Sequence, residues 1–142
     1  MKIAIINGPN LNLLGKREPL VYGHESFDDF LEALHSKYPE VTLHYYQSNV
    51  EGELINEIQR VGFDYEGIIL NPGGYTHTSV AIADAVAAIQ TPVLEVHISN
   101  VHAREEFRRH SYVSPKAAGS IVGLGLLGYE LALEWFLRNK KS

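Results

Sequence analysis

The sequence predicts an α/β fold, one five-stranded parallel sheet covered by helices on both faces, and three observations carry that expectation. Residues 3–6 and 68–70 are short apolar runs rich in isoleucine with no polar alternation, the pattern of strands buried on both faces. Segments with helical spacing of apolar residues separate such runs, which is how a parallel sheet with crossover helices is encoded. Two strand-like runs are each followed by a polar, glycine-bearing stretch: Asn7-Gly8-Pro9-Asn10-Leu11-Asn12 and Asn71-Pro72-Gly73-Gly74-Tyr75-Thr76-His77-Thr78-Ser79. In open α/β sheets ligands bind at the carboxyl ends of the strands. The Asn, Gly, His, Thr and Ser there predict a site for a small, oxygen-rich molecule.

Taken in order, strand 1 covers about residues 2–7, and an Asn/Gly/Pro-rich connection follows over 8–25. Ser26 is placed to cap a helix to about residue 37, with Phe27, Phe30, Leu31 and Leu34 on one face. Pro39 ends it. Strand 2 covers about 41–47. A helix over 51–61 carries the stripe Leu54, Ile55, Ile58 and Val61, and Gly62 stops it. Strand 3 covers about 67–71, and Thr78 or Ser79 caps a helix to about 89. Strand 4 follows Pro92, over 93–98. A short polar helix is expected over 103–110, strand 5 over 119–123, and a last helix over 125–139. Five strands separated in this way predict a flavodoxin-like three-layer sandwich, order 2-1-3-4-5, with a cleft between strands 1 and 3. The last helix is apolar on more than one side, through Leu131, Ala132, Leu133, Trp135, Phe136 and Leu137. That is either a broad core face or a subunit interface.

At 142 residues the chain reads as one domain, 1–142. Its net charge of −5 lacks the basic footprint of a nucleic-acid binder. There is no cysteine, which excludes disulfides and thiolate metal sites and fits the cytoplasm. The first residues are too short an apolar run for a signal peptide, and nothing approaches the roughly 20 apolar residues of a membrane span.

Three patterns are set aside. Gly123-Leu124-Gly125-Leu126-Leu127-Gly128 has the dinucleotide spacing, but the acidic residue expected about 20 positions later cannot follow in so short a remainder. Tight strand–helix packing is the better reading. The segment from Gly8 to Lys16 resembles a phosphate loop with the wrong spacing, and Arg17 stands where Ser or Thr is required. The seven histidines have neither the spacing nor the carboxylates of a metal centre. By contrast the long stretch around residues 15–24, which holds Gly15, Arg17, Tyr22 and Gly23, has the length of a lid or binding loop with glycine hinges. The alternative is a solvated loop with a packed tyrosine.

Four blocks read together are distinctive. They are Asn7 through Gly15 with Arg17-Glu18-Pro19 and Tyr22-Gly23; Asn71 through Ser79; Glu95-Val96-His97-Ile98-Ser99-Asn100 with Arg104-Glu105 and Phe107-Arg108; and Gly119 through Tyr129. The whole chain resembles the type II 3-dehydroquinate dehydratases of the shikimate/quinate pathway. That resemblance implies a flavodoxin-like fold, no cofactor, and anti elimination of water from 3-dehydroquinate through an enolate to give 3-dehydroshikimate. It implies Tyr22 as base, His97 as acid, Arg17 as the lid arginine assisting Tyr22, and Asn10 as holder of a water facing the enolate oxygen. Substrate contacts fall to Asn71, His77, Asp84, Ile98, Ser99 and Arg108. It further implies a homododecamer, a tetramer of trimers, in which Asp84 reaches a neighbouring subunit's site. Ile98 stands where leucine is commoner in the family.

The chemistry is consistent with these residue types. A free tyrosine has a pKa of about 10 and needs a shift of roughly 2–3 to act as a base near neutrality; one cation nearby supplies about 1–3. Arg17, with Arg108 as a second cation, suits this role because arginine stays charged. Glu95 lies two residues before His97 on one strand, so both side chains share a face, and the carboxylate is placed to hold the imidazole and favour its protonated form. Competing classes fit less well. A phospho-receiver requires acids where Asn7 and Asn71 stand, an FMN carrier requires a hydroxyl-rich loop after strand 1, and Schiff-base chemistry would need Lys16.

Overall fold

The computed structural model describes residues 1–16 and 25–140. Strands β1 (Lys2–Asn7), β2 (Thr42–Gln47), β3 (Gly67–Asn71), β4 (Val93–His97) and β5 (Gly119–Val122) form one sheet. Its order is β2-β1-β3-β4-β5 and every neighbouring pair is parallel, as the sequence predicts. Helices α1 (Phe27–Lys37), α2 (Glu51–Val61), α3 (Val80–Ala88) and α4 (Leu127–Arg138) complete three layers. Alternation along the strands divides the core. Ile3, Ile5, Ile69, Leu94 and Val96 pack with α1 and α4, whereas Ala4, Ile6, Ile68, Leu70 and Val93 pack with α2 and α3.

Local chemistry sets the helix boundaries. Ser26 Oγ accepts the Asp29 N–H at 3.2 Å and starts α1. Ser79, not Thr78, caps α3, its Oγ accepting the Ile82 N–H at 2.9 Å. Gly62 ends α2 in a right-handed conformation, so its glycine is required by space rather than by a left-handed turn. A Cβ there would lie 2.3 Å from Ile89 Cγ2.

One element differs from expectation. In place of one helix over 103–110 there are two 3₁₀ turns, Val101–Ala103 and Glu106–Arg109. Asn100 Oδ1 caps the first at the His102 N–H, and Arg104 is extended between them. The glycine-rich segment after β5 uses its backbone donors internally. Gly123 (φ 88°) and Gly125 (φ 65°) donate to the His97 and Ile98 carbonyls, each at 3.0 Å. Gly128 lets α4 sit close on Val96 and Ile121. The donors a phosphate would need are thus spent on holding the end of β4.

α4 buries Tyr129, Ala132, Leu133 and Phe136 and leaves Leu127, Leu131 and Trp135 exposed. Its second apolar side is not covered by the described residues of the same chain. No described helix is long and apolar enough to cross a membrane.

A pH dependence of stability arises on the α2 side. Glu57, nearly buried, accepts from Arg60 Nε and an Arg60 Nη at 2.8 Å each and faces His44 Nε2 at 3.0 Å. The Arg60 guanidinium, against the opposing effect of burial, holds the Glu57 carboxyl below its ordinary value of 4.5. A carboxyl depressed on folding adds stability above its unfolded pKa and loses it as pH falls through the folded one. Glu57→Gln is therefore expected to cost about 1 kcal/mol at neutral pH, discounted for the exposed arginine. That cost should vanish as the pH falls well below the ordinary carboxylate range, read from denaturant midpoints across pH.

Candidate active site

The floor of the site is made where β1 and β3 end side by side, with Asn7 in register with Asn71. Both are buried, and Tyr129 rises between them from α4, fully buried. The Tyr129 hydroxyl donates to Asn7 Oδ1 at 2.8 Å and accepts from Asn71 Nδ2 at 2.8 Å. Asn71 Oδ1 accepts the Gly73 N–H at 3.1 Å. The amide orientation of Asn71 is thus set by its surroundings before any ligand arrives. Burial pushes the Tyr129 phenol far above its usual range, so it remains a neutral donor. Tyr129→Phe should leave two buried amide groups short of a partner and lower stability by about 1–3 kcal/mol, measured by chemical denaturation.

The loops over this floor close because Gly8 has no side chain. Its N–H donates to the Asn71 carbonyl at 2.7 Å, and a Cβ would stand 2.6 Å from the Pro72 carbonyl oxygen. Asn10 then turns the chain at φ 71°, a left-handed conformation asparagine tolerates better than most residues. Its N–H is held by Asn49 Oδ1 at 2.9 Å.

β4 supplies the opposite wall. Glu95 and His97 share a face of the strand, as the two-residue spacing predicts, and His97 Nε2 lies 2.5 Å from Glu95 Oε2. Glu95 is 1% exposed and His97 8%. Thr76 and Ser114 hydroxyls each donate to the Glu95 carboxylate at 2.5 Å. Burial pushes the Glu95 carboxyl up; the bond and charge of His97 and the two hydroxyls outweigh that and hold it below its ordinary value. Glu95 therefore remains a carboxylate at neutral pH.

His77 stacks beside His97 with ring centroids 6.5 Å apart. Its Nδ1–H donates to the His110 carbonyl at 2.7 Å, which leaves Nε2 as an acceptor. Burial, with the neighbouring His97 and Arg108, lowers the His77 pKa although the His110 carbonyl opposes this. At neutral pH it is an uncharged hydrogen-bonding group. Arg108 lies over the Phe107 ring and pairs with Glu105. Arg104 donates to Ser99 Oγ at 3.3 Å.

These walls enclose a cavity of about 150 Å³ lined by Asn10, Asn71, His77, His97, Ile98, Ser99, Arg104 and Arg108 among others. Seven residues expected from the sequence meet here: Asn10, Asn71, His77, His97, Ile98, Ser99 and Arg108. Glu95 lies behind His97 rather than on the cavity surface. Asp84 is exposed on α3, away from the cavity of its own chain. Arg17 and Tyr22, with the rest of 17–24, lie outside the described residues. Sequence reasoning gave no role to Arg104, although an arginine four residues before Arg108 in a conspicuous motif was a signal. It also missed Thr76, Ser111 and Ser114, which reach Glu95 only through the fold. A larger cavity, about 630 Å³, lies at the opposite edge of the sheet between Phe63, Tyr65, Trp135 and Phe136. It holds no paired acid and base comparable to Glu95 and His97. Among the described residues no cluster of three or more His, Asp or Glu is arranged to hold a metal ion.

The arrangement combines a carboxylate-backed imidazole, a neutral imidazole, two guanidinium groups and oriented amides around a small polar space. It is equipped to bind an anionic polyhydroxylated molecule and to move a proton. Comparison with known proteins agrees. A family model described as dehydroquinase class II matches residues 1–137. A catabolic 3-dehydroquinase of Aspergillus oryzae is 53% identical, covering 99% of this chain and 93% of its own length. A 3-dehydroquinate dehydratase of Fusobacterium nucleatum is 53% identical over 96% of this chain and 97% of its own. The crystal structure of a type II dehydroquinase from Butyrivibrio crossotus superposes with a TM-score of 0.92 at 46% identity, covering 96% of this chain and 97% of that one.

Proposed function

We propose, for a chain that belongs to the class II dehydroquinase family, a division of labour among these residues in the dehydration of 3-dehydroquinate. The protein is a carbon–oxygen lyase, a 3-dehydroquinate dehydratase. The observation that carries the assignment is the buried Glu95–His97 pair, with His97 opening on a cavity at the carboxyl edge of the sheet.

The substrate is a β-hydroxy ketone, and its dehydration neither oxidises nor reduces it. One proton leaves the carbon next to the ketone, its electron pair forms an enolate, and the enolate expels hydroxide, which leaves as water after accepting a proton. The step therefore needs a base, an acid and stabilisation of the enolate oxygen, and balances without a cofactor. Tyr22 is the base, assisted by Arg17. His97 delivers the proton to the departing hydroxide on the opposite face, an anti elimination. Asn10 holds the water facing the enolate oxygen, where one positioned donor is typically worth about 10²–10³ in rate. Asn71, His77 and Arg108 bind the substrate together with the backbone of Ile98 and Ser99. Glu95 holds His97.

In this reading the enzyme works in the cytoplasm as a homododecamer, a tetramer of trimers, in which Asp84 reaches a neighbouring subunit's cavity. The exposure of Asp84 away from its own cavity supports this, as do the exposed Leu127, Leu131 and Trp135 on α4. Adding 3-dehydroquinate to the purified protein in EDTA tests the chemistry. A conjugated enone should appear in the ultraviolet at an unaltered rate. Folded protein that forms no enone would refute the reading, and loss of the enone in EDTA alone would refute the cofactor-free step. Sedimentation should return the mass of twelve chains, and a smaller particle with full activity would refute the assembly.

A further inference from the structure

The hydroxyl groups around Glu95 have a definite polarity. Ser111 Oγ accepts the N–H groups of Val113 and Ser114 at 3.1 and 3.0 Å, which occupies both of its lone pairs. Its single proton is then left for Thr76 Oγ1, 2.6 Å away, with Glu95 Oε2 a more distant acceptor at 3.5 Å; in either case Ser111 cannot accept from Thr76. Thr76 donates its own O–H to Glu95 Oε2 at 2.5 Å, and Ser114 donates to Glu95 Oε1 at 2.5 Å. His97 Nε2 completes the set at 2.5 Å from Oε2. Each of these partners presents a donor to the carboxylate. A proton on Glu95 would compete with the donors already directed at its two oxygens, a costly arrangement at a buried site. The ring accommodates the carboxylate form, and the carboxylate in turn requires a proton on His97 Nε2.

We propose that Thr76, Ser111 and Ser114 are positioning residues for the dehydration: their one-way hydrogen bonds fix Glu95 and confine the proton that His97 gains and loses to Nδ1. This rests on the reading of His97 as the acid. With Nε2–H held by Glu95 in both charge states, only Nδ1 changes, and it is the nitrogen left to serve the leaving hydroxide. Among the described residues the other titratable groups around the pair, Arg104 at the cavity included, carry positive or neutral charge. The rest are His77 from the turn Gly73–His77, His102 from Val101–Ala103, and Arg108 and Arg109 from Glu106–Arg109. None is a carboxylate that could take over the role of Glu95.

The test is steady-state kinetics across pH on Thr76→Val, Ser114→Ala and the double variant, with His97→Asn and Thr76→Ser beside them. Nitrogen-15 spectra of His97 supply a readout that a merely structural role would not move. Each lost hydroxyl should lower kcat on the order of tenfold, the scale of a hydrogen bond to a charged group, with KM unchanged. A second fall, further to the acid side than that of the base and set by Glu95, should move to higher pH, because a carboxylate with fewer donors takes up a proton sooner. Thr76→Ser should restore kcat. Neutral His97 should be the Nε2–H tautomer in the wild type and a mixture in Thr76→Val. Folded variants that keep kcat, pH profile and a single tautomer, while His97→Asn is inactive, would overturn the proposal. An active His97→Asn would instead remove the acid reading on which it rests. If the double variant fails to fold, a wild-type His97 found as the neutral Nδ1–H tautomer would by itself overturn it.

Discussion

His97→Asn should lower kcat by about 10²–10⁴-fold, the usual contribution of a positioned general acid, with KM little changed. The leaving group is hydroxide, a poor one unless protonated as it departs. His97 is the side chain at the cavity that is backed by a buried carboxylate. Asparagine preserves hydrogen-bonding capacity and approximate size but has no proton to give, so binding should survive where turnover fails. The enolate should still form. In heavy water the variant should therefore exchange the proton next to the ketone with solvent while releasing almost no enone. Single-turnover mixing followed by NMR reads both quantities. A variant that keeps wild-type kcat would show that the hydroxide is protonated by another group.

Tyr22→Phe should remove turnover by a similar factor of about 10²–10⁴, and by an earlier step. An unassisted phenol, with a pKa of about 10, is ionised in roughly one molecule per thousand at pH 7. A useful base needs cations, and the sequence places Arg17 in the same segment. The cavity contributes two more guanidinium groups, Arg104 and Arg108. Each cation within about 4–6 Å lowers a phenol by roughly 1–3 pKa units. In the proposed reaction the phenolate is the form that acts, so the rate should fall on the acid side as Tyr22 takes up its proton. Arg17→Ala should move that fall to higher pH. Unlike His97→Asn, Tyr22→Phe should abolish exchange of the substrate proton with heavy water as well as enone formation. Persistent exchange would transfer the role of base elsewhere. The pair of variants thus separates the two proton transfers of one reaction.

Much of the site was legible because its residues follow strand ends directly. Asn71, His77, His97, Ile98 and Ser99 each stand in or within a few residues of a strand terminus, and in a parallel sheet those termini lie along one edge. The Glu95–His97 pairing was legible for a related reason: strand side chains repeat every two residues, so a spacing of two means a shared face. Arg108 and Arg104 were harder, because they sit on irregular turns whose direction depends on side-chain caps such as Asn100. The expectation of one helix over 103–110 failed there. Polar composition does not distinguish a helix from two short turns, here started early by the Asn100 cap on the His102 N–H and broken where Arg104 is extended.

The hydroxyl ring and the tyrosine beneath the site could not have been read from the chain. Tyr129 lies 58 residues from Asn71 and 122 from Asn7. Thr76 and Ser114 each lie 19 residues from Glu95, on opposite sides of it. Periodicity is a local property and marked this protein's strands and its four long helices, and with them the binding edge, while the sheet order followed from the fold class they imply. Hydrogen bonds between residues distant in sequence form only after the layers have packed, because each needs a donor and an acceptor brought within about 3 Å and shielded from water. The tertiary structure alone therefore decided which face of Asn71 is offered, that Glu95 is held as a carboxylate, and that Asp84 turns away from its own cavity.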